Sequence, residues 1–293
     1  MKKIILLLTA IIFLTAGCTP ISNKQPENDR TRDGLKGNVK SVKTIKYDAE
    51  EKFGEIVKEK PCLIEYVKYN KKGFYDEQII YDSCGELLLK SVYVYDDKEI
   101  LIEEKSYLYG ELTDKYVYTY DEKGNQIEKK RYGSNGKLKE KDITTYDDKG
   151  NLIEEKSYNS NGEFERMYVA TYDDKGNLIE WKWYGSDGEF ERMYGYTYDD
   201  KGNLIEWKWY GSDGELERMY SYTYDDKGNQ IEEKSYGSNG ELEYKSVFTY
   251  DDKGNWIEKK SYSSSWNSNE LKIANITERI ISVRRRFYFR RIM

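Results

Sequence analysis

The chain contains no histidine, only three cysteines and only three prolines among its 293 residues. Without histidine, Ser-His-Asp triads and Cys-His dyads are excluded, as are the common zinc ligand sets. Paired carboxylates such as Asp173 and Asp174 recur along the chain, whereas a glycosidase needs one such pair in a cleft. The sequence therefore predicts a non-enzymatic protein that needs no cofactor and no metal.

Aliphatic side chains are also scarce, and 35% of the residues are charged. The formal net charge is −6, although the last 31 residues carry seven Lys or Arg against two Glu. An acidic body argues against nucleic acid as a partner, because phosphate binding needs basic patches. So few aliphatic residues favour a thin sheet over a thick globular core.

Residues 1–18 have the pattern of an export signal. Lys2 and Lys3 precede the apolar run of residues 4–13, which is too short to favour a spanning helix. The following segment, LTAGC, resembles the lipobox of bacterial lipoproteins, although Thr15 stands where that family more often has Leu, Val or Ile. The resemblance implies diacylation of Cys18 and a lipid-anchored protein of the bacterial envelope, at the outer membrane or cell surface. The alternative is an ordinary secreted protein with a stray cysteine.

Residues 19–33, TPISNKQPENDRTRD, are polar and contain two prolines. This composition predicts a disordered tether. Beyond it, Cys62 and Cys84 lie one repeat apart, and an exported chain could pair them in a disulfide. Two unpaired thiols are an equally good interpretation.

A 26-residue repeat dominates the rest of the chain. Its units open with Tyr-Asp and continue with Lys-Gly-Asn, and they start at Tyr120, Tyr146, Tyr172, Tyr198, Tyr224 and Tyr250. Weaker copies start at Tyr95 and Tyr69, and Tyr47 begins a still more degraded one. A fixed period of this length indicates a repeat architecture. We therefore divide the chain into degenerate β-repeats over 34–94, regular repeats over 95–262 and a basic tail or cap over 263–293.

Each unit contains two turn signals, Asp-Asp-Lys-Gly at 173–176 and Gly-Ser-Asp-Gly at 185–188. Both fit a type I turn followed by a glycine in the left-handed region, which gives a hairpin with a G1 bulge. The segments between them are rich in Tyr, Trp, Ile and Thr, which favour strands. The predicted fold is an all-β antiparallel meander of about seventeen strands, counted at two per repeat, forming a single-layer sheet or an open spiral.

Alternation assigns the faces of the sheet. Leu178, Glu180, Lys182 and Tyr184 should share one face, and Arg192, Tyr194 and Tyr196 should continue it. The other face carries a candidate binding strip, which consists of Trp181, Trp183, Trp207 and Trp209 with Met193 and Met219 nearby. Such a strip could bind sugar rings or a partner's apolar side chains, or it could pack against another part of the same sheet.

The segment YGYTYDDKGNLIE resembles the YD repeats of the Rhs family, and the half-units YGSNGKLKEK and YGSNGELEYK are similar to variant MORN repeats. The first resemblance covers about residues 95–262. It implies β-hairpin strips and an exported bacterial protein, and nothing about catalysis. No toxin domain follows the repeats, unlike in that family.

Two features have open interpretations. Calcium could bind the Asp-rich turns, but Asp also favours turns through its own hydrogen bonds. The end of the chain, ITERIISVRRRFYFRRIM, could be a basic amphipathic tail, a capping strand or an altered reading frame.

The sequence thus predicts an envelope lipoprotein that serves as a binding or spacing scaffold, with an unknown protein or glycan partner. One alternative is a carbohydrate-binding module that uses the Trp strip. Another, suggested only by the Rhs resemblance, is an immunity or accessory protein of a toxin system.

Overall fold

The computed structural model describes residues 28–265 and 268–283, and almost all of them lie in β-strands. One short helix, α1, spans Asp29–Arg32. The lipobox and Cys18 lie outside the described residues. The strands are β1 (Val39–Lys52), β2 (Glu55–Tyr69), β3 (Tyr75–Tyr81), β4 (Leu87–Tyr95), β5 (Leu101–Leu108), β6 (Glu111–Tyr120), β7 (Gln126–Gly133), β8 (Leu138–Tyr146), β9 (Leu152–Asn159), β10 (Phe164–Tyr172), β11 (Leu178–Tyr184), β12 (Phe190–Tyr198), β13 (Leu204–Tyr210), β14 (Leu216–Tyr224), β15 (Gln230–Gly237), β16 (Leu242–Tyr250), β17 (Trp256–Ser265) and β18 (Ser268–Val283).

The strands form one closed antiparallel sheet. Each strand pairs with the next along the chain, and β18 pairs with β1 from Val39 opposite Val283 to Asp48 opposite Asn275. The predicted all-β hairpin meander is confirmed, with eighteen strands instead of about seventeen. The sheet is closed rather than an open spiral. Closure removes the sheet edges, whose unpaired backbone groups would otherwise invite association.

The Asp-Asp-Lys-Gly turns have the predicted geometry. The Asp173 amide donates to the Asn177 carbonyl at 2.9 Å, the Gly176 amide donates back to the Asp173 carbonyl at 3.0 Å, and Gly176 has φ +85°. The Asp173 carboxylate accepts from the amides of Lys175 and Asn177 and from the Asn177 side chain. These hydrogen bonds, the Asn177 side chain's first, lower the pKa of Asp173. Aspartate is thus used here as a turn acceptor, and the described residues contain no cluster of ligands suited to a metal ion.

Because the sheet is a meander, alternate turns lie at opposite ends. The turns of the Asp-Asp-Lys-Gly type form one end, which we call the Asp-turn rim, and those of the Gly-Ser-Asp-Gly type form the other, the Ser-turn rim. At the Asp-turn rim, tyrosine hydroxyls tie successive units together. Each donates to a main-chain carbonyl oxygen of the preceding hairpin, in the pairs Tyr120–Leu101, Tyr146–Gln126, Tyr172–Leu152, Tyr198–Leu178, Tyr224–Leu204 and Tyr250–Gln230.

A bulge beside each turn shifts the strand register, and the predicted faces are wrong beyond it. Tyr184 opposes Phe190 as expected, but Trp183 then opposes Arg192, so Glu191 is the extra residue. Arg192 and Tyr194 therefore lie on the tryptophan face, not on the Glu/Lys face. A bulge places two residues of one strand opposite one of its partner, which exchanges the faces of everything after it.

The second bulge has the same effect at the other end of the strand. Leu178 opposes Tyr172, while Glu180 opposes Thr171, so Ile179 is the extra residue. Leu178 is 6% exposed and Ile179 is 37% exposed. Leu178 thus lies on the buried face and does not share a face with Glu180 and Lys182 as predicted, while Ile179 lies on the exposed side.

The two faces differ in burial and charge. The inner face holds the buried small and polar side chains, which include Ser91, Asp142, Thr144, Ser157, Ser235, Ser246 and Ser261. The outer face carries glutamate–lysine pairs along a strand, as in Glu180–Lys182 at 2.7 Å, and across strands, as in Glu128–Lys141 at 3.0 Å. Opposite charges are thus coupled both along and across the strands of the outer face.

Residues 28–38, which we call the strap, cover the seam where β1 meets β18. The Arg30 amide donates to the Gly73 carbonyl at 2.8 Å, and Asp33 accepts from the hydroxyls of Tyr69 and Tyr75. Leu35 is buried in a cluster with Val39, Val42, Val67 and Tyr69. The predicted disorder is therefore wrong for residues 28–33, because aspartate and leucine side chains anchor them. Residues 19–27 lie outside the described part.

The basic C-terminal region divides at Val283. Up to that residue it is strand β18, which pairs with β17 on one side and with β1 on the other, and residues 284–293 lie outside the described part. At the Ser-turn rim the β1–β2 hairpin is longer than the others and ends in a fully exposed Phe53. Cys62 lies in β2 and Cys84 in the β3–β4 turn, and both are free thiols. Within residues 28–265 and 268–283, no helix has the length and apolar character needed to cross a bilayer.

Candidate binding surface on the inner face

The four repeat tryptophans lie together on the inner face, alternating with tyrosines from neighbouring strands. Across β10 to β14 the cross-strand pairs include Tyr168–Trp183, Trp181–Tyr194, Tyr194–Trp209, Tyr196–Trp207 and Trp207–Tyr220. We call these eight residues the inner aromatic strip. The tyrosines were missed from the sequence because the bulges place them on this face.

The rings of the strip are in mutual contact. The Tyr168 ring centroid lies 5.7 Å from that of Trp181 and 5.1 Å from that of Trp183. Trp207 stacks on Tyr220 at 4.4 Å with an interplanar angle of 25°. Such contacts fix the rings in a continuous apolar platform.

The structure separates the methionines from this platform. Met193 opposes Lys182, and Met219 opposes Lys208, so both lie on the outer face with the charged side chains. Of the six residues in the predicted strip, the fold brings together the four tryptophans and excludes the two methionines.

The tryptophans are half-buried, intermediate between the exposed strip and the packed core that the sequence left open. Two of them carry an unusual feature. The indole Nε1 atoms of Trp207 and Trp209 are buried and have no hydrogen-bond acceptor among the described residues. A buried donor without a partner costs about 1–3 kcal/mol, so each indole N–H is a ready donor for an acceptor that enters the strip.

Arginines border the strip toward the Ser-turn rim. The Arg192 guanidinium lies 4.0 Å over the Trp183 ring, a cation–π contact. Arg166 forms an ion pair with Glu140, while its Nε is buried with no acceptor among the described residues. Arg218 pairs with Glu243 at 3.1 Å. Burial disfavours the charged form of Arg166, but the nearby groups, Glu140 foremost, together outweigh it and raise the pKa of Arg166.

A cavity of about 590 Å³ opens at this end of the strip. Its walls include Trp183, Arg166 and the carboxylates of Glu163, Glu165 and Glu191. With Phe164 it therefore combines two aromatic rings, one cationic donor and three carboxylate acceptors. This polar mouth adjoins the inner aromatic strip at Trp183.

The inner face farther around the sheet is acidic. Burial raises the pKa of Glu104, and the pKa of Glu155 is raised by burial and by the nearby Asp142 carboxylate. Asp142 is buried and accepts a hydrogen bond from Ser157 at 2.7 Å. The inner face is thus aromatic and cationic over β10–β14 and acidic over β5–β9.

No family model matches this chain, and no curated protein matches it. Solved structures similar to it include a porin-like protein from Bacteroides uniformis, 10% identical with a TM-score of 0.45, covering 83% of this chain and 98% of that one. The complex TcdB2-TccC3-TEV is 13% identical with a TM-score of 0.28 over 78% of this chain and 16% of that one. A DUF3836 family protein from Parabacteroides distasonis is 14% identical with a TM-score of 0.20 over 41% of this chain and 90% of that one. At such TM-scores these likenesses carry no argument about function.

Proposed function

We propose that this protein is a non-enzymatic envelope lipoprotein that binds neutral carbohydrate on the inner aromatic strip, through the mouth at the Ser-turn rim. The observation that carries the proposal is the pair of unpartnered indole donors on Trp207 and Trp209 within an aromatic platform. A sugar ring offers an apolar face to stack on the rings and hydroxyl oxygens to accept from the indoles. Polar groups that converge on an apolar platform are typical of small-ligand sites.

The charges at the mouth favour a neutral ligand. Three glutamates and one arginine line the cavity, and the arginine already pairs with Glu140. A carboxylated or sulfated sugar would meet a like-charged wall, which opposes binding. The carboxylates instead suit the hydroxyl donors of a neutral sugar.

A glycan array that contains neutral and acidic oligosaccharides tests the proposal. We expect the full-length protein to retain neutral glycans above background and to bind their uronic-acid counterparts at least ~10-fold more weakly, since ~1.4 kcal/mol of repulsion gives that ratio. Failure to bind any glycan would contradict the carbohydrate proposal and leave a protein-binding or spacing scaffold.

The anchor is proposed from Cys18 and the lipobox resemblance. Replacement of Cys18 with Ala should abolish incorporation of labelled fatty acid and release the protein from membranes, because no acyl chain would then hold it in the bilayer. A Cys18→Ala protein that stays with the membrane after a salt wash would contradict the anchor. A Cys62→Ala protein is the matched control, and it should label like the wild type.

A further inference from the structure

The Asp-turn rim binds a cationic side chain of the chain itself. Lys36 of the strap donates its backbone amide to Asn255 Oδ1 at 2.5 Å and its Nζ to Asn229 Oδ1 at 3.2 Å. Its side chain crosses Gly254 closely enough that a methyl group there would come within 2.8 Å of Lys36 Nζ. Asparagine oxygens and a glycine of two successive Asp-type turns thus form a track on which Lys36 lies.

The repeat places the same acceptor at turns that the strap does not reach. In the six units that start at Tyr120 and after it, the asparagine amide nitrogen donates to the aspartate of its own turn, which orients the side-chain oxygen. The oxygens of Asn229 and Asn255 receive Lys36. Equivalent positions, beyond the strap, are occupied by Asn125, Asn151, Asn177 and Asn203.

The same rim is acidic. Each regular turn has two carboxylates and one lysine, and the second carboxylate is exposed, as at Asp174, Asp200 and Asp226. An extended polypeptide with several basic side chains would therefore find both charge complementarity and hydrogen-bond acceptors along the track.

Such a segment begins at this rim. Strand β18 ends at Val283, which lies opposite Val39 beside the strap. The chain continues for ten residues outside the described part, RRRFYFRRIM, with arginines at 284, 285, 286, 290 and 291. The turn that joins β12 and β13 lies five to six strand spacings from β18, about 26 Å. Ten extended residues span about 33 Å, so the segment reaches that turn.

We propose that residues 284–293 dock along the Asp-turn rim, across the turns that contain Asp226 and Asp200, with their arginines on these carboxylates and on the oxygen of Asn203. Single exposed ion pairs stabilise little. Several arginines that pair with a regular row of acceptors act as one network, and the segment is held at high effective concentration by its attachment to β18.

Limited trypsin digestion of the purified full chain tests this docking, because trypsin cleaves after the arginines in question. The test variant is Asp200→Asn with Asp226→Asn. The control is Asp187→Asn with Asp213→Asn, which makes the same charge change at the Ser-turn rim, where other units already have Asn135 and Asn239. We follow loss of residues 285–293 by intact mass at low salt and in 0.5 M salt, where the screening length falls to a few ångströms.

If the segment docks, the wild type and the Ser-turn control lose it at the same slow rate. The Asp200/Asp226 variant loses it at least ~5-fold faster, and high salt brings the wild type to that faster rate. An equal rate in the wild type and the Asp200/Asp226 variant would overturn the proposal. Protection of both proteins to the same extent by phosphatidylglycerol vesicles, with no protection in their absence, would instead assign the segment to an anionic membrane and equally overturn it.

Discussion

At the residue scale, the tyrosines of the Asp-turn rim couple each hairpin to the one before it. The Tyr224 hydroxyl donates to the Leu204 carbonyl oxygen at 2.7 Å, and burial raises the pKa of Tyr224 to about 12. Tyr146 and Tyr250 have the same arrangement and the same raised pKa. The neutral phenol is therefore part of what holds successive units together.

This arrangement predicts a loss of stability in alkali. The folded pKa of about 12 exceeds the value of about 10 for a free tyrosine. The stabilisation is thus fully present below pH 10 and is lost as the pH rises through 12. Replacement of Tyr224 with Phe should cost ~1 kcal/mol in urea unfolding at pH 7 and should remove part of the alkaline loss. The exposed Tyr109 provides the control, since Tyr109→Phe should change neither; an equal effect of both variants would contradict the coupling of hairpins through these tyrosines.

The acidic part of the inner face predicts a second loss of stability as the pH rises, in this case through a carboxylate. Burial, with the nearby Asp142 carboxylate, raises the pKa of Glu155, so the folded state binds a proton more tightly than the unfolded state. This contribution is fully present below the unfolded pKa and is lost as the pH rises through the folded pKa. Glu155→Gln should therefore be more stable than the wild type at pH 8, measured by urea unfolding.

The difference between Glu155→Gln and the wild type should shrink as the pH falls toward 4. Glu180→Gln on the outer face is the control. The side chains of Glu180 and its partner Lys182 are 32% and 35% exposed, and the change should stay within ~1 kcal/mol. A Glu155→Gln protein that is less stable than the wild type at pH 8 would show that this carboxylate is held by interactions other than those described.

At the element scale, the 26-residue unit is one pair of strands. A closed antiparallel sheet needs an even number of strands, so it can gain or lose them only in such pairs. Deletion of residues 172–197 removes β11 and β12 and joins Thr171 to Tyr198. Sixteen strands remain, and β18 still meets β1 in antiparallel pairing. Deletion of residues 172–184 removes one strand, and an odd number cannot close with every neighbour antiparallel.

We therefore expect the 26-residue deletion to give a β-rich, cooperatively unfolding protein of lower stability, because repeat arrays tolerate loss of whole units. The 13-residue deletion should unfold or associate through its free edges. Circular dichroism, thermal melts and size-exclusion chromatography distinguish them. Equal damage from the two deletions would mean that the unit is not the structural element.

The turns, strands and repeat boundaries follow from the sequence because each rests on local chemistry, such as the Asp–Asn hydrogen bonds and the glycine with positive φ at 176. The assignment of side chains to the two faces of the sheet did not follow from the sequence. A single extra residue, Glu191 in one hairpin, moves Arg192 and Tyr194 to the tryptophan face. Gly in the fourth turn position indicates the bulge, and strict alternation does not hold across it. A two-for-one count at that point would have placed the tyrosines correctly.

At the scale of the whole molecule, closure of the sheet could not be predicted from the sequence. It depends on β18 meeting β1 across more than 200 residues, and no local pattern encodes such a contact. The strap was missed for a related reason. Its composition is that of a linker, yet Asp33 and Leu35 find partners that only the closed sheet assembles. The inner site likewise exists only because closure gives the sheet an inside.

The central claim is that the inner aromatic strip binds the ligand, and one matched pair of variants tests it. Trp183→Ser with Trp209→Ser copies the serines at 157 and 235 on the inner face, so the fold already tolerates them. Met193→Lys with Met219→Lys copies Lys141 and Lys245, which stand at the equivalent outer-face position in other repeat units.

Isothermal titration of both variants and the wild type, with the neutral glycan best retained on the array, is the decisive measurement. Each buried aromatic side chain contributes ~1.5–3 kcal/mol, so the serine pair should weaken binding at least ~100-fold, while the lysine pair leaves the affinity within ~3-fold. Urea unfolding should show both variants folded. Unchanged affinity in a folded serine pair, or an equal loss in both pairs, would contradict the claim.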